Sequence, residues 1–401
     1  MTDFVRLPTA RLFTIVLASS VAFFVVLPLL PLYLADHAGD RQATVWTGPV
    51  IAASFAAGAI FAPVWGSLSD RYGARRMMIR AAAATTFTQL LLIVAHAPIE
   101  ILAVRIVHGC VAGLVPAAMT YGVRTLGAAG KSLASLSVAR STGALLGPGL
   151  GGVLAATLDF RAAFAAAALL TLLATGLAAT LTADTPDRAA RRRTGLLTQF
   201  RGVVHERHRY QGFGLVAALA VFAGAIQVVV PVTLQHDPDL TTDSRAMWVG
   251  IIFTVSGGTA VAAGTFWGMA ADRYGWRSIL PLVTVGSALA IGTAVFVSSS
   301  PPLLLASLAT HALISCEAGT LVVLFLLEGA PEDGHGMLLG LNHTVTQLGL
   351  AVGPLLAGAV IAATSTRWVY AGIALGFLAL TPAPLWRAPS GDVKLTTDLD
   401  C

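Results

Sequence analysis

Charge is scarce in this sequence. Asp, Glu, Lys and Arg make up 11% of its 401 residues, against 56% hydrophobic residues. A soluble domain is about 25% charged, and a surface this poor in charge cannot be kept in water. That excludes a soluble globular enzyme and a disordered chain. Cysteine is scarce as well: Cys110, Cys316 and Cys401 follow neither a disulfide framework nor a metal-ligand spacing. The longest polar stretch, Asp184 to Gln211, is too short for a soluble signalling domain. The 40 Gly and 19 Pro exclude a simple coiled coil. What remains is an all-α polytopic membrane protein, with lipid as its outer solvent.

Apolar runs of roughly 20 residues mark spanning helices. Twelve are predicted, near 12–34, 46–66, 77–96, 100–123, 133–158, 161–183, 212–235, 247–269, 279–299, 302–327, 338–363 and 367–386. The run after Arg6 and Arg11 is longer than the core of a secretory signal and is followed by no small-x-small site, so it reads as an uncleaved first span. The predicted organisation is a six-helix bundle over 1–183, a basic linker over 184–211, a second six-helix bundle over 212–387 and a tail over 388–401.

The net charge of +5 could suggest nucleic acid, but its distribution does not. With both termini on one side of the membrane, that side collects 20 of the 25 Lys and Arg residues and the other side four, leaving Arg105 inside a span. Such a bias places both termini in the cytoplasm. The positive charge is then topological, and no nucleic acid is needed.

The two halves repeat. Residues 65–75 read WGSLSDRYGAR and 267–277 read WGMAADRYGWR, an offset of 202. Gly147-Pro148 recurs as Gly353-Pro354 at an offset of 206, and Arg161 as Arg367. Repeats of this kind build many transporters, with the substrate site between the halves.

These motifs resemble the major facilitator superfamily along nearly the whole chain. The loop with Gly66, Asp70, Arg71, Gly73, Arg75 and Arg76, and its copy with Gly268, Asp272, Arg273, Gly275 and Arg277, is similar to that family's cytoplasmic gate loop. It reads either as a gate latch that stabilises the outward-open state or as a topology anchor. Gly66 is expected to let two helices approach closely. In span four, Arg105, His108 and Gly109 resemble a family motif, with His108 where Gln is usual. Arg105 reads as a cavity residue or as a side chain snorkelling to the interface. In span five, Gly143, Gly147, Pro148, Gly151 and Gly152 resemble the signature of the family's exporters, with Ala134 in place of its first glycine. Leu27-Pro28, Pro31, Tyr33, Pro63-Val-Trp65-Gly66 and Gly113-Leu-Val-Pro116 are similar to the MdtG-type and PmrA-type multidrug-efflux branch.

The resemblance implies two pseudo-symmetric six-helix bundles, and export of a small amphiphile in exchange for protons. The implied partners are a small-molecule substrate, protons and the lipid bilayer of the cytoplasmic membrane. No cofactor or metal is implied, and the protein is expected to act as a monomer. Span one carries no acid from Leu12 to Ala35, where such antiporters often have one, so proton binding falls to Glu317 in span ten. His311 stands at offset 206 from Arg105, and both are expected to face the central cavity. A structural ion pair is the other reading of Glu317. Two functional alternatives stay open: a proton-coupled importer, and a membrane sensor that moves nothing. His205-Glu206-Arg207-His208 is one residue short of a zinc-protease pattern, and Gly147 to Gly152 lacks the Lys-Ser/Thr end of a phosphate loop.

Overall fold

The structure is a computed structural model that describes residues 2–125, 129–184, 207–315, 318–327 and 332–381. Helix occupies most of the described part of every predicted span. The elements are α1 (Thr2–Val26), α2 (Leu30–Ala38), α3 (Asp40–Tyr72), α4 (Ala74–Val94), α5 (Pro98–Val111), α6 (Leu114–Thr125), α7 (Ala129–Thr157) and α8 (Phe160–Ala179). The second half holds α9 (Arg207–Gln235), α10 (Thr242–Tyr274), α11 (Trp276–Val297), α12 (Pro301–Ser315), α13 (Ala318–Leu327), α14 (Glu332–Ala363) and α15 (Thr366–Ala379). Among the described residues, nine helical segments are long and apolar enough to cross a membrane, and Pro301–Ser315 is a shorter apolar one.

Two predicted spans prove discontinuous. Span one passes through a 3-10 turn at Leu27–Leu29 before α2, because Pro28 and Pro31 each withhold a backbone donor. Span four breaks between α5 and α6, where Gly113 adopts φ +132° and Pro116 follows in the first turn of α6. Other ends are set locally. Pro98 and Pro301 begin helices at the position where no N–H is needed. The Asp159 carboxylate caps α8 by accepting from the Ala162 N–H at 2.6 Å.

The packing repeats with the sequence. In the first half α1 packs on α7, α3 on α5, and α4 on α8; in the second, α9 packs on α14, α10 on α12, and α11 on α15. The halves meet along two seams, α7 against α10 and α14 against α3. Large apolar side chains exposed on α8 (Leu169, Leu172), α11 (Leu289, Phe296) and α15 (Leu375) form the outer surface, as a lipid-facing wall requires.

The core has an uneven shape. One face carries the turns at Gly73 and Gly275; the opposite, far face carries the turns at Gly39 and Asp237. Toward the far face a single apolar cluster joins both halves, including Val25, Leu30, Leu34, Val228, Val232 and Leu234. Toward the motif face the core divides. Leu12, Met78 and Tyr121 belong to a cluster of the first half, and Leu215, Ile279 and Leu321 to a separate cluster of the second. Among the described residues, the apolar core therefore joins the two halves toward the far face and not toward the motif face.

Candidate transport site

Gly109 allows α5 to lie directly on α3: a Cβ there would collide with the Ser54 carbonyl and the Ala57 methyl. One turn earlier, this contact brings Arg105 Nη2 within 2.6 Å of Ser54 Oγ, to which it donates. Arg105 is 1% exposed, its guanidinium lies 5.9 Å from the centre of the Phe23 ring, and its Nε has no hydrogen-bond partner. Among the described residues no carboxylate pairs with it. His108, 5% exposed, lies with Nδ1 3.0 Å from Thr88 Oγ1. Thr88 donates its own hydrogen to the Thr85 carbonyl at 2.8 Å, so its oxygen accepts from His108 Nδ1–H.

His311 does not join this group. It is 7% exposed, its Nδ1 lies 3.4 Å from the Ser287 carbonyl, and its ring meets Phe377 edge-on at 5.3 Å. Arg105 therefore packs toward α1 and α3, while His311 packs toward α11 and α15. The structure does not bring the two together. Glu317 lies outside the described residues.

The loop after α3 is a tight turn. Gly73 adopts φ +93° and ψ +144°, and its copy Gly275 adopts φ +77° and ψ +142°. Only glycine holds such backbone angles without strain. Asp70 accepts from Arg124 Nη2 at 2.7 Å. Asp184 accepts from the Ala74 N–H at 2.7 Å and the Arg75 N–H at 3.1 Å, placing a carboxylate on the N-terminus of α4. Arg124 Nη1 stands 3.9 Å from the same carboxylate. Arg75 also donates to the Ala179 carbonyl, while Arg71 and Arg273 each lie over the tyrosine that follows them, Tyr72 and Tyr274. Arg76 is exposed, and Arg277 has an interaction partner. The Asp272 side chain lies outside the described ones. Gly66 and Gly268 face open space: nothing lies within 4 Å of the place a Cβ would take on either. The expected close approach at Gly66 is thus absent where the halves are parted.

Sequence reading misses Asp184 and Arg124, which count there only as a linker residue and a topology charge. It also misses Arg80, whose guanidinium lies 3.4 Å from the centre of the Trp65 ring. Trp65 Nε1 donates to the Cys110 carbonyl at 2.7 Å, and Arg80 Nη1 to the Val111 carbonyl at 2.9 Å. These are the carbonyls that the break after α5 releases. The signal is available in one dimension: an Arg in span three, and Gly113 and Pro116 in span four.

The glycines of span five serve two neighbours. Gly143, Gly147 and Gly151 press on α1 at Ser20, Phe24 and Val25; Gly149 and Gly152 press on α10 at Thr254, Ala246 and Gly250. Pro148 stays inside the helix. In span eleven Gly353 presses on Val221 and Ala225 of α9, and the Pro354 carbonyl lies 2.6 Å from where a Gly48 Cβ would stand. Nearer the motif face, a cavity of about 440 Å³ lies between α9, α13 and α14.

The chain matches the model of the Major Facilitator Superfamily over residues 12–234 and again over 212–397. It belongs to that superfamily. The transporter is 28% identical over 375 residues to the multidrug resistance protein MdtG of Serratia proteamaculans (strain 568), covering 89% of this chain and 88% of the relative. It is 26% identical over 363 residues to a multi-drug resistance efflux pump PmrA homolog of Lactococcus lactis subsp. lactis (strain IL1403), covering 88% of each. Its fold is similar to the nucleoside transporter NupG (TM-score 0.75, 13% identity, 94% of this chain and 97% of that one). It is also similar to a D-xylose-proton symporter (TM-score 0.68, 18% identity, 95% and 97%). The transporter is thus a multi-pass membrane protein of the facilitator fold and not an enzyme.

Proposed function

We propose that this transporter exports small amphiphilic compounds across the cytoplasmic membrane in exchange for protons, by alternating access. The observation that carries the reading is the one-sided core: among the described residues, one apolar cluster joins both halves toward the far face, and two separate clusters lie toward the motif face. The 20-to-four bias of basic residues supports a cytoplasmic motif face and cytoplasmic termini. The conformation is then inward-open, the state in which an exporter loads. The multidrug-efflux relatives support the substrate class, and the glycine-rich span five supports the direction.

Glu317 is assigned the proton, being the carboxylate that the sequence places within a span. Arg105 is assigned a structural and electrostatic part in the first half. The two Asp-Arg turns stabilise the outward-open state, and the monomer suffices. Purified protein in liposomes tests the reading. A proton gradient, acidic at the far face, is expected to drive uptake of a fluorescent amphiphile at the motif face, with matching proton release. Absence of both across a broad substrate panel refutes it. Counterflow in everted vesicles showing only inward movement would instead establish import. Glu317→Gln is expected to abolish pH-driven flux, and full retention would remove Glu317 from the mechanism.

A further inference from the structure

The geometry points to a transition-metal site at the far face, in which His37 and His96 bind one divalent cation of the zinc type through their Nε2 atoms. The site uses neither the gate turns nor the span interiors, so it stands whether or not the export reading does. His37 lies in the last turn of α2, with its side chain 19% exposed. His96 is exposed in the turn between α4 and α5. Their ring centres lie 5.1 Å apart, with the planes at 57°. Two imidazoles whose nitrogens each stand about 2 Å from one zinc ion, at a tetrahedral angle, have ring centres about 5 Å apart.

Both rings are held with the same nitrogen free. His37 Nδ1–H donates to the Tyr33 carbonyl at 3.1 Å, and His96 Nδ1–H to the Val94 carbonyl at 2.7 Å. A carbonyl only accepts, so each neutral ring keeps its lone pair on Nε2. For His96 a second contact requires the same tautomer: Arg161 Nη2, which can only donate, stands 2.8 Å from Nε2. A ring N–H held by a backbone carbonyl is the usual support behind a metal-bound histidine. The spacing of the rings is held as well. Tyr33 Oη donates to the Ala95 carbonyl at 2.7 Å, and the Tyr33 ring lies 4.3 Å from that of His37. The N–H groups of His96 and Ala97 donate to the Glu100 carboxylate at 2.9 and 3.1 Å, which fixes the turn that carries His96.

The surroundings define the ion. Asp36 Oδ2 stands 3.5 Å from His37 Nδ1, and with Glu100 it places two carboxylates beside the rings. Arg161 is an exposed cation that holds the His96 lone pair, and an incoming metal ion takes its place. Among the described residues no third histidine, cysteine or carboxylate completes a set, so water fills the remaining positions. Imidazole suits Zn²⁺, Cu²⁺ and Ni²⁺ rather than Mg²⁺ or Ca²⁺. The repeat that builds the fold does not supply the pair: 202 positions beyond His37 and His96 stand Asp239 and Ser298. The two histidines are thus not needed to complete a bundle.

The test titrates Zn²⁺ onto the full chain in nanodiscs of zwitterionic lipid, slightly above neutral pH, against a chromophoric chelator. The wild-type protein is expected to bind Zn²⁺ in the presence of excess Mg²⁺. His37→Ala and His96→Ala are each expected to weaken that binding more than about ten-fold, since a lost ligand costs at least what a lost outer-shell partner does. Arg161→Leu is expected to tighten it about three- to ten-fold, because His96 Nε2 is freed from one hydrogen bond and a nearby positive charge is gone. A purely structural contact between Arg161 and His96 would give no such gain. The gain also keeps the test decisive should an alanine variant fail to fold. His236 makes the same tie to the Val232 carbonyl in the second half, and His236→Ala is expected to leave the affinity unchanged. Absence of Zn²⁺ binding in the wild type overturns the proposal, as does binding that survives either histidine substitution. So does loss of binding in His205→Ala, which would assign the ion to the linker, or Arg161→Leu binding no tighter than the wild type.

Discussion

Arg80 lies over the Trp65 ring, and the pair binds the two carbonyls that the break of span four releases, Val111 and Cys110. Trp267 repeats half of this arrangement, donating to the Leu313 carbonyl at 2.8 Å. The position 202 residues beyond Arg80 is Leu282, so the second half lacks the cation. Trp65→Phe is expected to cost about 1 kcal/mol, one hydrogen bond, and Arg80→Leu more, since it also removes the cation–π contact. Thermal unfolding of the purified variants checks the ranking. Equal losses for both would show that the cation–π contact contributes nothing.

The glycines divide by packing. Gly353→Ala is expected to destabilise by about 1–3 kcal/mol, because the added methyl meets the Val221 carbonyl across the α9–α14 contact. Gly268→Ala faces open space and is expected to leave stability of the parted state within about 0.5 kcal/mol. Under the proposed alternating access, its effect is expected in transport instead. Unfolding and flux measured on the same two variants separate these roles.

Asp184 caps α4 and stands beside Arg124. Asp184→Ala is expected to lose about 1–3 kcal/mol, the range for hydrogen bonds to a charged group. Asp184→Asn keeps one acceptor oxygen and is expected to recover part of that loss. Unfolding midpoints that place Asn below Ala would contradict the capping role.

Across the far face, Gln235 Nε2 donates to the Asp40 carboxylate at 3.0 Å, joining α9 to α3 and thus the two halves. Gln235→Leu removes this bond from the sealed side and is expected to raise the outward-open population about two- to ten-fold. Maleimide labelling of a cysteine placed at Val228, buried in the sealed core, reports that population in a chain whose own three cysteines are serine. Asp40→Ala should give the same increase, and the double variant no further one. Additive effects would mean the two residues act separately.

Much of this was legible in one dimension. Apolar run length identified the spans, and the repeated WGxxxDRYGxR text located the two turns whose glycines adopt positive φ. Those features are local: a span needs only enough apolar residues to cross lipid, and the turn needs only a residue without a Cβ. The break in span four was written in Gly113 and Pro116, yet continuous hydrophobicity concealed it.

Local rules thus account for a polytopic helical protein with a two-fold repeat and marked turns, because bilayer thickness and backbone sterics act on neighbouring residues. Long-range packing, by contrast, brings Ser54 to Arg105, sets Asp184 as the cap of a helix starting 110 residues earlier, and turns His311 toward Ser287 and Phe377. It also joins the core of the two halves toward the far face and parts α9, α13 and α14 around a cavity. Each of these depends on which helices touch and at what height, a choice made by side chains packing across the fold.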